Sequence, residues 1–305
     1  MSEPKCYCLN DLRDWHEPSL RYAVLGDPVA HSASPAMHNA ALEALKLPER
    51  YCRLWIHPDE LAEAVRLLPE AGFRGVNLTI PHKTDVLPLL DRIDPGAKKL
   101  GAVNTLVFQD NTVTGHNTDG PGIVRAIREE FGVEVKNQRV LILGAGGGAG
   151  RAIATQCALE GSLKIVLVNR SLEKIESLAR QLGPGAVAVP LLPEALAEHL
   201  PSIDLVINAT SVGMKSEDHS PIPAHLIESR LLVYDTIYAG LVTPLQMAAN
   251  ESGARNSNGL SLLLHQGALS LEIWLGHPVP LEVMRRGLLD FVGAKSSLSG
   301  KKNTR

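Results

Sequence analysis

Between about residues 21 and 292, short apolar runs alternate with longer stretches whose apolar residues recur every three or four positions. This is the pattern of β-α-β units on a mostly parallel sheet. Tyr22–Leu25 reads as a strand, and a helix is predicted from Ser34, as N-cap with Pro35 at its first position, to about Leu45. Tyr51–Ile56 reads as the next strand. Pro58 opens a helix to Leu68 with Leu61, Val65 and Leu68 on one face, and Gly75–Ile80 is a third strand stopped by Pro81. Asn104–Phe108 and Thr112–Thr114 flank Asp110-Asn111, a hairpin turn. After a helix from about Gly120 to Glu130, a second half restarts with Val140–Leu143, a glycine-rich turn and a helix. Strands at Ile165–Val168, Asp204–Asn208 and Leu231–Asp235 follow at the spacing of a doubly wound sheet. Helices are expected from about Asn258 through Trp274 and from Pro280 to Phe291.

Composition narrows what such a fold can do. A chain of 305 residues that is 45% hydrophobic and 21% charged is about two domains of ordinary globular protein. Thirty basic against 33 acidic side chains leave a formal charge of −3, which gives no field to attract nucleic acid or an anionic membrane. No apolar run approaches the roughly 18 residues of a membrane span. The N-terminal residues lack the basic start and apolar core of a signal peptide, so a cytoplasmic location is expected. Four cysteines without CxxC and eleven histidines without HExxH make a metal site improbable.

Two groups of residues carry candidate chemistry. Gly144-Ala-Gly146-Gly-Gly-Ala149 directly follows an apolar strand and precedes a helix, the GxGxxA form of a dinucleotide fingerprint. Gly144 would allow the tight turn and Gly146 the approach of backbone to a pyrophosphate. Ala149 would allow close packing of helix on strand, with the phosphates on the helix N-terminus. The next strand ends Val168-Asn169-Arg170-Ser171, where NAD-binding chains carry an acidic residue. Asn followed by Arg and Ser suits a phosphorylated ribose, with Lys174 as a second cation, so NADP is the expected cofactor. In the first half, Asn77, Thr79 and Lys83 surround the end of a strand. Ser32, Ser34, Asn104 and Asn117-Thr-Asp119-Gly120 also follow predicted strands, where open α/β sheets bind ligands. Hydroxyls, amides, one ammonium and one carboxylate together suit a small polyhydroxylated anion.

Six ordered stretches extend the pattern: Gly26-Asp-Pro-Val-Ala-His-Ser32-Ala-Ser34-Pro-Ala-Met-His-Asn, Gly75-Val-Asn77-Leu-Thr79-Ile-Pro-His-Lys83, Gly101-Ala-Val-Asn104-Thr, Gly115-His-Asn117-Thr-Asp119-Gly, Asn208-Ala-Thr210-Ser-Val-Gly213-Met and Tyr234-Asp-Thr-Ile-Tyr238. From about Tyr22 to Gly276 the chain resembles the shikimate dehydrogenases of the shikimate/quinate dehydrogenase superfamily. The resemblance implies an N-terminal α/β substrate domain plus a Rossmann-type doubly wound parallel-sheet domain. The C-terminal helices would return to the first domain. Its expected boundaries are an extension at 1–20, a substrate domain at 21–119 with 259–292, an NADP domain at 120–258 and a tail at 293–305. It implies NADPH-dependent reduction of 3-dehydroshikimate to shikimate, by a monomer or homodimer, in chorismate and aromatic amino-acid biosynthesis.

By the same resemblance Lys83 and Asp119 form the catalytic pair, and Ser32 and Ser34 hold the substrate carboxylate. Asn77, Thr79, Asn104 and Gln266 bind ring hydroxyls or support the site, and Tyr238 lies near the carboxylate end. Gly144, Ala145, Gly146, Gly147, Gly148, Ala149, Asn169, Arg170, Ser171, Lys174, Thr210, Ser211 and Gly259 fall on cofactor-binding positions. Hydride transfer to a ketone develops negative charge on oxygen, which Lys83 could stabilise and protonate while Asp119 keeps it charged and oriented. The chain departs from the family pattern in three places: Gly259-Leu-Ser261-Leu262-Leu replaces a glycine and a methionine, Arg151 lies one place later than the usual turn arginine, and no proline follows Tyr238 closely. Quinate/shikimate dehydrogenase is the close alternative. Relatives accepting quinate tend to carry threonine at the second serine and an acidic residue at the cofactor strand, whereas this chain has Ser34 and Asn169. A silent NADP-sensing regulator on the same fold would have lost Lys83 or Asp119.

Overall fold

The computed structural model describes residues 5–215, 217–238 and 242–300, with side chains through Gly293. They form two compact units, one built from the described residues up to 118 and from 266 onward and the other from residues 119–265. The first unit contains, in order, β1 (Cys6–Cys8), α1 (Leu9–Arg13), β2 (Leu20–Gly26), α2 (Ser34–Ala44), β3 (Arg50–Trp55), α3 (Leu61–Glu70), β4 (Gly75–Leu78), α4 (His82–Asp85), β5 (Arg92–Ile93), α5 (Pro95–Leu100), β6 (Thr105–Gln109) and β7 (Thr112–His116). Its seven-stranded sheet has the order β1-β3-β2-β4-β6-β7-β5. The first four strands are parallel, and β6 runs antiparallel to β4 and β7. Strand alternation divides β3: Cys52 and Leu54 enter the core under α3, with Leu61, Val65 and Leu68, while Tyr51 and Arg53 point to the other face. Asp110 and Asn111 both have positive φ, 50° and 55°, as a two-residue hairpin of this twist requires.

The second unit contains α6 (Asp119–Phe131), β8 (Arg139–Leu143), α7 (Gly148–Leu159), β9 (Lys164–Asn169), α8 (Glu173–Leu182), β10 (Ala186–Pro190), α9 (Pro193–His199), β11 (Leu205–Asn208), β12 (Leu232–Asp235), α10 (Pro244–Ser252) and β13 (Arg255–Ser257). Its six strands are all parallel in the order β10-β9-β8-β11-β12-β13, so the winding reverses between β8 and β11. Both faces of the central strands are covered. Ile142, Leu205 and Ile207 enter one core and Leu141, Leu143 and Val206 the other, which is why these strands are unbroken apolar runs.

The chain returns to the first unit within α11 (Leu260–Leu275), followed by α12 (Leu281–Gly300). At the start of α11 the Tyr234 hydroxyl accepts the Leu262 N–H at 3.0 Å and lies 2.9 Å from Ser261 Oγ. Later turns carry Trp274, which stacks on Tyr22 with ring centroids 5.1 Å apart and donates to the Leu106 carbonyl at 2.9 Å. Gly75 lies beneath that indole, where a Cβ would collide with the ring. The α12 helix packs on α2 through Gly287, where a Cβ would lie 2.9 Å from the Ala36 carbonyl.

Four expectations are corrected. Residues 6–13 belong to the fold rather than to an extension: β1 pairs with β3, and Tyr7, Leu9 and Leu12 are buried in the same core, elements too short to carry a readable period. Ser34 is the first residue of α2 and not its cap. Ala33 precedes it in helical geometry, and Ser34 gives its own N–H to Ser32 Oγ at 3.3 Å. The return to the first unit falls at residue 266, inside α11, because the first turn of that helix is tied to Tyr234. The last helix continues to Gly300, past Phe291 and into the segment expected to be a tail; residues 301–305 lie outside the described residues.

Candidate active site

In the first unit the candidate ligands gather at one end of the sheet: Ser32 and Ser34 follow β2, Asn77 and Thr79 lie at the end of β4, Asn104 directly precedes antiparallel β6 and Asn117 follows β7. The β2–α2 loop carries Ser32, Ser34 opens α2 directly after it, and the loop is held from inside by Arg53. This buried guanidinium donates Nε–H and Nη2–H to the single Ser32 carbonyl at 3.0 and 2.7 Å. The Ser34 carbonyl faces Nδ1 of buried His38 at 2.8 Å, whose Nε2 lies 3.2 Å from the Gly267 carbonyl. A neutral ring can donate to only one of the two. Burial nonetheless pulls the His38 pKa down to about 4, so the ring is neutral at ordinary pH.

Beside this loop lies a buried polar network. The Tyr51 hydroxyl, kept protonated by burial, donates to Asn77 Oδ1 at 2.9 Å. Asn77 Nδ2 donates to Ser270 Oγ at 2.8 Å and Thr105 Oγ1 at 3.1 Å. The neighbouring Asn104 amide accepts the Thr118 N–H at 2.8 Å and the Thr105 hydroxyl at 3.0 Å. It donates to Thr118 Oγ1 at 2.9 Å and lies within 3.4 Å of Gln266 Oε1. Ser270 can give its proton to the Gln266 carbonyl at 2.9 Å and can accept from Thr118 at 3.0 Å. The Thr118 N–H and the Asn104 backbone carbonyl fix the two amide orientations, whereas the Thr105 and Ser270 hydroxyls, 2.8 Å apart, can donate either way. The structure thus brings Asn77, Asn104 and Gln266 together and occupies the two asparagine amides with protein partners.

Lys83 is half-buried on the short α4, reached through Thr79, whose methyl packs against Gly26. Its placement follows from two neighbours. Buried His82 donates Nε2–H to the Ile56 carbonyl at 2.8 Å, and the Lys83 carbonyl accepts the Val103 N–H at 2.8 Å. Burial lowers the His82 pKa, so this ring too favours the neutral form. Asp119 is the first residue of α6 and is buried, directly after Thr118 and after Asn117, whose side chain donates to the Ala102 carbonyl at 2.9 Å.

The second unit presents the glycine turn between β8 and α7. Gly144 has φ +77°, and its N–H and that of Ala145 close on the Val168 carbonyl at 2.8 and 3.2 Å. Gly147 and Gly148 are exposed, with at most one neighbouring atom near a would-be Cβ, at the N-terminus of a twelve-residue helix. That is an open cradle for a phosphate group. Asn169 folds its amide over Gly146, where a Cβ would lie 2.7 Å away, and donates to the Ser171 carbonyl at 3.0 Å. Arg170, Ser171 and Lys174 are left exposed past the end of β9. These residues fit a phosphorylated dinucleotide.

The residue allowing close helix packing is corrected from Ala149 to Gly150. Ala149 is exposed, whereas Gly150 is buried, and a Cβ there would lie 2.8 Å from Ala145 Cα and closer still to the Gly144 carbonyl oxygen. Thr210 turns its hydroxyl inward to Asn208 Oδ1 at 2.7 Å, and Asn208 is tied to buried Asp235 at 3.0 Å; Ser211 is exposed. Burial raises the Asp235 pKa even though Thr243 Oγ1 donates to it at 2.7 Å. Gly259 is a packing glycine, buried against the Thr236 carbonyl. The departure at Ser261 buries a serine on the Tyr234 hydroxyl. Tyr238 is half-buried, and residues 239–241, part of the departure after it, lie outside the described residues. Among the described residues no three His, Cys, Asp or Glu side chains group to hold a metal, and no helix is long and apolar enough to cross a membrane.

A doubly wound parallel sheet with an open glycine turn and cations beyond its second strand, joined in one chain to a polar, lysine-bearing site, defines an oxidoreductase of the NADP-dependent class. Three family descriptions match the chain: "Shikimate dehydrogenase substrate binding domain" at residues 24–106, "Shikimate / quinate 5-dehydrogenase" at 125–217 and "Shikimate 5'-dehydrogenase C-terminal domain" at 259–289. The chain belongs to the shikimate dehydrogenase family. It is 41% identical over 271 residues to the shikimate dehydrogenase (NADP(+)) of Desulforamulus reducens, covering 87% of this chain and 93% of that protein. The crystal structure of shikimate dehydrogenase from Aquifex aeolicus superposes with a TM-score of 0.82 at 36% identity, covering 90% of this chain and 98% of that one. The Thermus thermophilus enzyme in complex with NADP(H) and shikimate gives 0.78 at 36% identity, covering 89% and 99%.

Proposed function

We propose that Lys83 and Asp119 are the catalytic pair with which this chain interconverts 3-dehydroshikimate and shikimate, the NADP-dependent reaction of its family in aromatic amino-acid biosynthesis. Bound NADPH supplies the hydride. As charge develops on the ketone oxygen, the Lys83 ammonium donates a hydrogen bond to it and then a proton. Asp119 orients that ammonium and accepts from the adjacent ring hydroxyl. Ser32 and Ser34 hold the carboxylate, with Tyr238 at the same end, and Thr79 and Gln266 receive ring hydroxyls. Asn77 and Asn104, their amides engaged by Tyr51, Thr105, Thr118 and Ser270, keep that wall in place. Gly144, Ala145, Gly146, Gly147, Gly148 and Ala149 form the pyrophosphate turn, Arg170 and Lys174 hold the ribose phosphate, and Asn169 shapes the loop between turn and phosphate. Thr210 and Ser211 line the cofactor side. The enzyme works in the cytoplasm as a monomer or homodimer.

The observation that carries this reading is the setting of Lys83, a half-buried lysine whose backbone is clamped by Val103 and whose neighbour His82 is anchored on Ile56. A lysine serving only solubility needs neither anchor. Lys83→Ala is expected to lower kcat by about a hundredfold or more, the scale for removing a charge-stabilising group, while leaving the Kd for NADPH within twofold. Turnover within a few-fold of the parent would remove Lys83 from the mechanism.

A further inference from the structure

We propose that Arg53 is a positioning residue for substrate: from inside the fold it sets the two serine hydroxyls that receive the carboxylate. This rests on the reading of Ser32 and Ser34 given above. Arg53 lies on β3 between β1 and β2, on the face opposite the α3 core, and is only 3% exposed. Burying a guanidinium is unfavourable, and a well-packed apolar residue in such a place is often as stable or more so. Stability alone therefore gives little reason for an arginine here.

Its geometry gives another. Two of its N–H groups converge on one carbonyl oxygen, that of Ser32, at 3.0 and 2.7 Å, occupying both lone pairs of that peptide unit. The guanidinium carbon lies 5.8 Å from the centre of the Phe291 ring on α12, which backs it. The loop has further ties of its own: Ser32 N–H closes on the Val29 carbonyl at 3.0 Å, Ser32 Oγ accepts from Ser34 N–H at 3.3 Å, and the Ser34 side chain bonds to the buried Tyr51 hydroxyl. With the Ser32 peptide plane fixed from below, the Ser32 and Ser34 side chains keep one mutual orientation before any ligand arrives. The ordering cost is then met during folding and not at binding.

The test is steady-state kinetics of Arg53→Met, Ser32→Ala and the double variant, with thermal melts. Arg53→Met is expected to raise KM for shikimate about tenfold, with kcat and KM for NADP within twofold of the parent and a melting temperature that is unchanged or higher. In the double variant the two KM effects should be less than multiplicative, because both act through the same serine. If the methionine variant does not fold, Arg53→Lys, which cannot present two N–H groups from a planar fork, is expected to raise KM for shikimate in the same selective way. Ser32→Ala raising KM while the Arg53 variants leave it within twofold would overturn the inference and leave the serine reading standing. An unchanged KM in Ser32→Ala would overturn both. Fully multiplicative effects, or equal losses in kcat and both KM values, would reduce Arg53 to a structural part.

Discussion

Replacing Gly150 by alanine puts the corrected fingerprint at risk in one step. The added methyl would lie 2.8 Å from Ala145 Cα and nearer still to the Gly144 carbonyl oxygen, where ordinary Cβ contacts begin at about 3.4 Å. Both obstacles are backbone, so no side chain can rotate away, and helix α7 must lift from the turn by several tenths of an ångström or more. Overpacking of this kind costs on the order of 1–3 kcal/mol. If the strain falls on the seat of the pyrophosphate, KM for NADP rises by roughly 5- to 150-fold, since about 1.4 kcal/mol is a factor of ten. If it falls on the fold, the melting temperature drops instead. The assay is a fluorescence titration with NADPH beside steady-state kinetics and a thermal melt, run in parallel on Ala149→Ser. Ala149→Ser changes an exposed position of the same turn and should leave the melting temperature near that of the parent, and KM for shikimate should hold in both variants. Wild-type NADPH affinity and stability in Gly150→Ala, together with a marked loss in Ala149→Ser, would return the packing role to residue 149.

Two further outcomes follow from local electrostatics. His38 titrates near 6.5 when unfolded and near about 4 when folded, so the unfolded chain binds the proton first. Its contribution is intact above about pH 6.5 and is lost as pH falls toward 4, about 3 kcal/mol in all; urea midpoints at several pH values should show a shallower acid slope in His38→Phe than in the parent. Arg170→Ala should raise KM for NADP about tenfold or more and leave that for NAD nearly unchanged, and equal losses for both cofactors would contradict its assignment to the ribose phosphate.

What could be read from the chain divides along physical lines. Strands β8, β9, β11 and β12 are buried on both faces and therefore stand out as apolar runs. Strands β1, β5, β10 and β13 escaped notice because each is two to five residues long at or near a sheet edge, and β13 is the polar run Arg-Asn-Ser. The spacing Asn77-x-Thr79-x-x-x-Lys83 was visible because one strand end and one turn carry it. Tyr51, Thr105, Thr118 and Ser270, which aim the amides, come from four separate elements and meet only through long-range packing. Arg53 looks like an ordinary strand-surface arginine until α12 covers it. The glycine turn misled by one residue. Gly144-x-Gly146 leaves both Ala149 and Gly150 as small candidates, and only the approach of the Gly144 carbonyl distinguishes them.

The helix that begins in one unit and ends in the other has a consequence for how the chain is born. Residues 119–265 are continuous, so the second unit has all its parts as soon as they leave the ribosome, whereas the first must wait for α11 and α12. Until then Tyr22 lacks the Trp274 that stacks on it, Asn77 lacks Ser270, and α2 lacks the helix that covers it. At about 5–20 residues per second, the roughly 150 residues between the two segments take roughly 7–30 s to synthesise. For that interval the earlier-made half has α2 alone on the face that α11 and α12 later complete, while the later-made unit finishes itself, so the order of folding runs against the order of translation, and the nascent first half is the form that chaperones would meet.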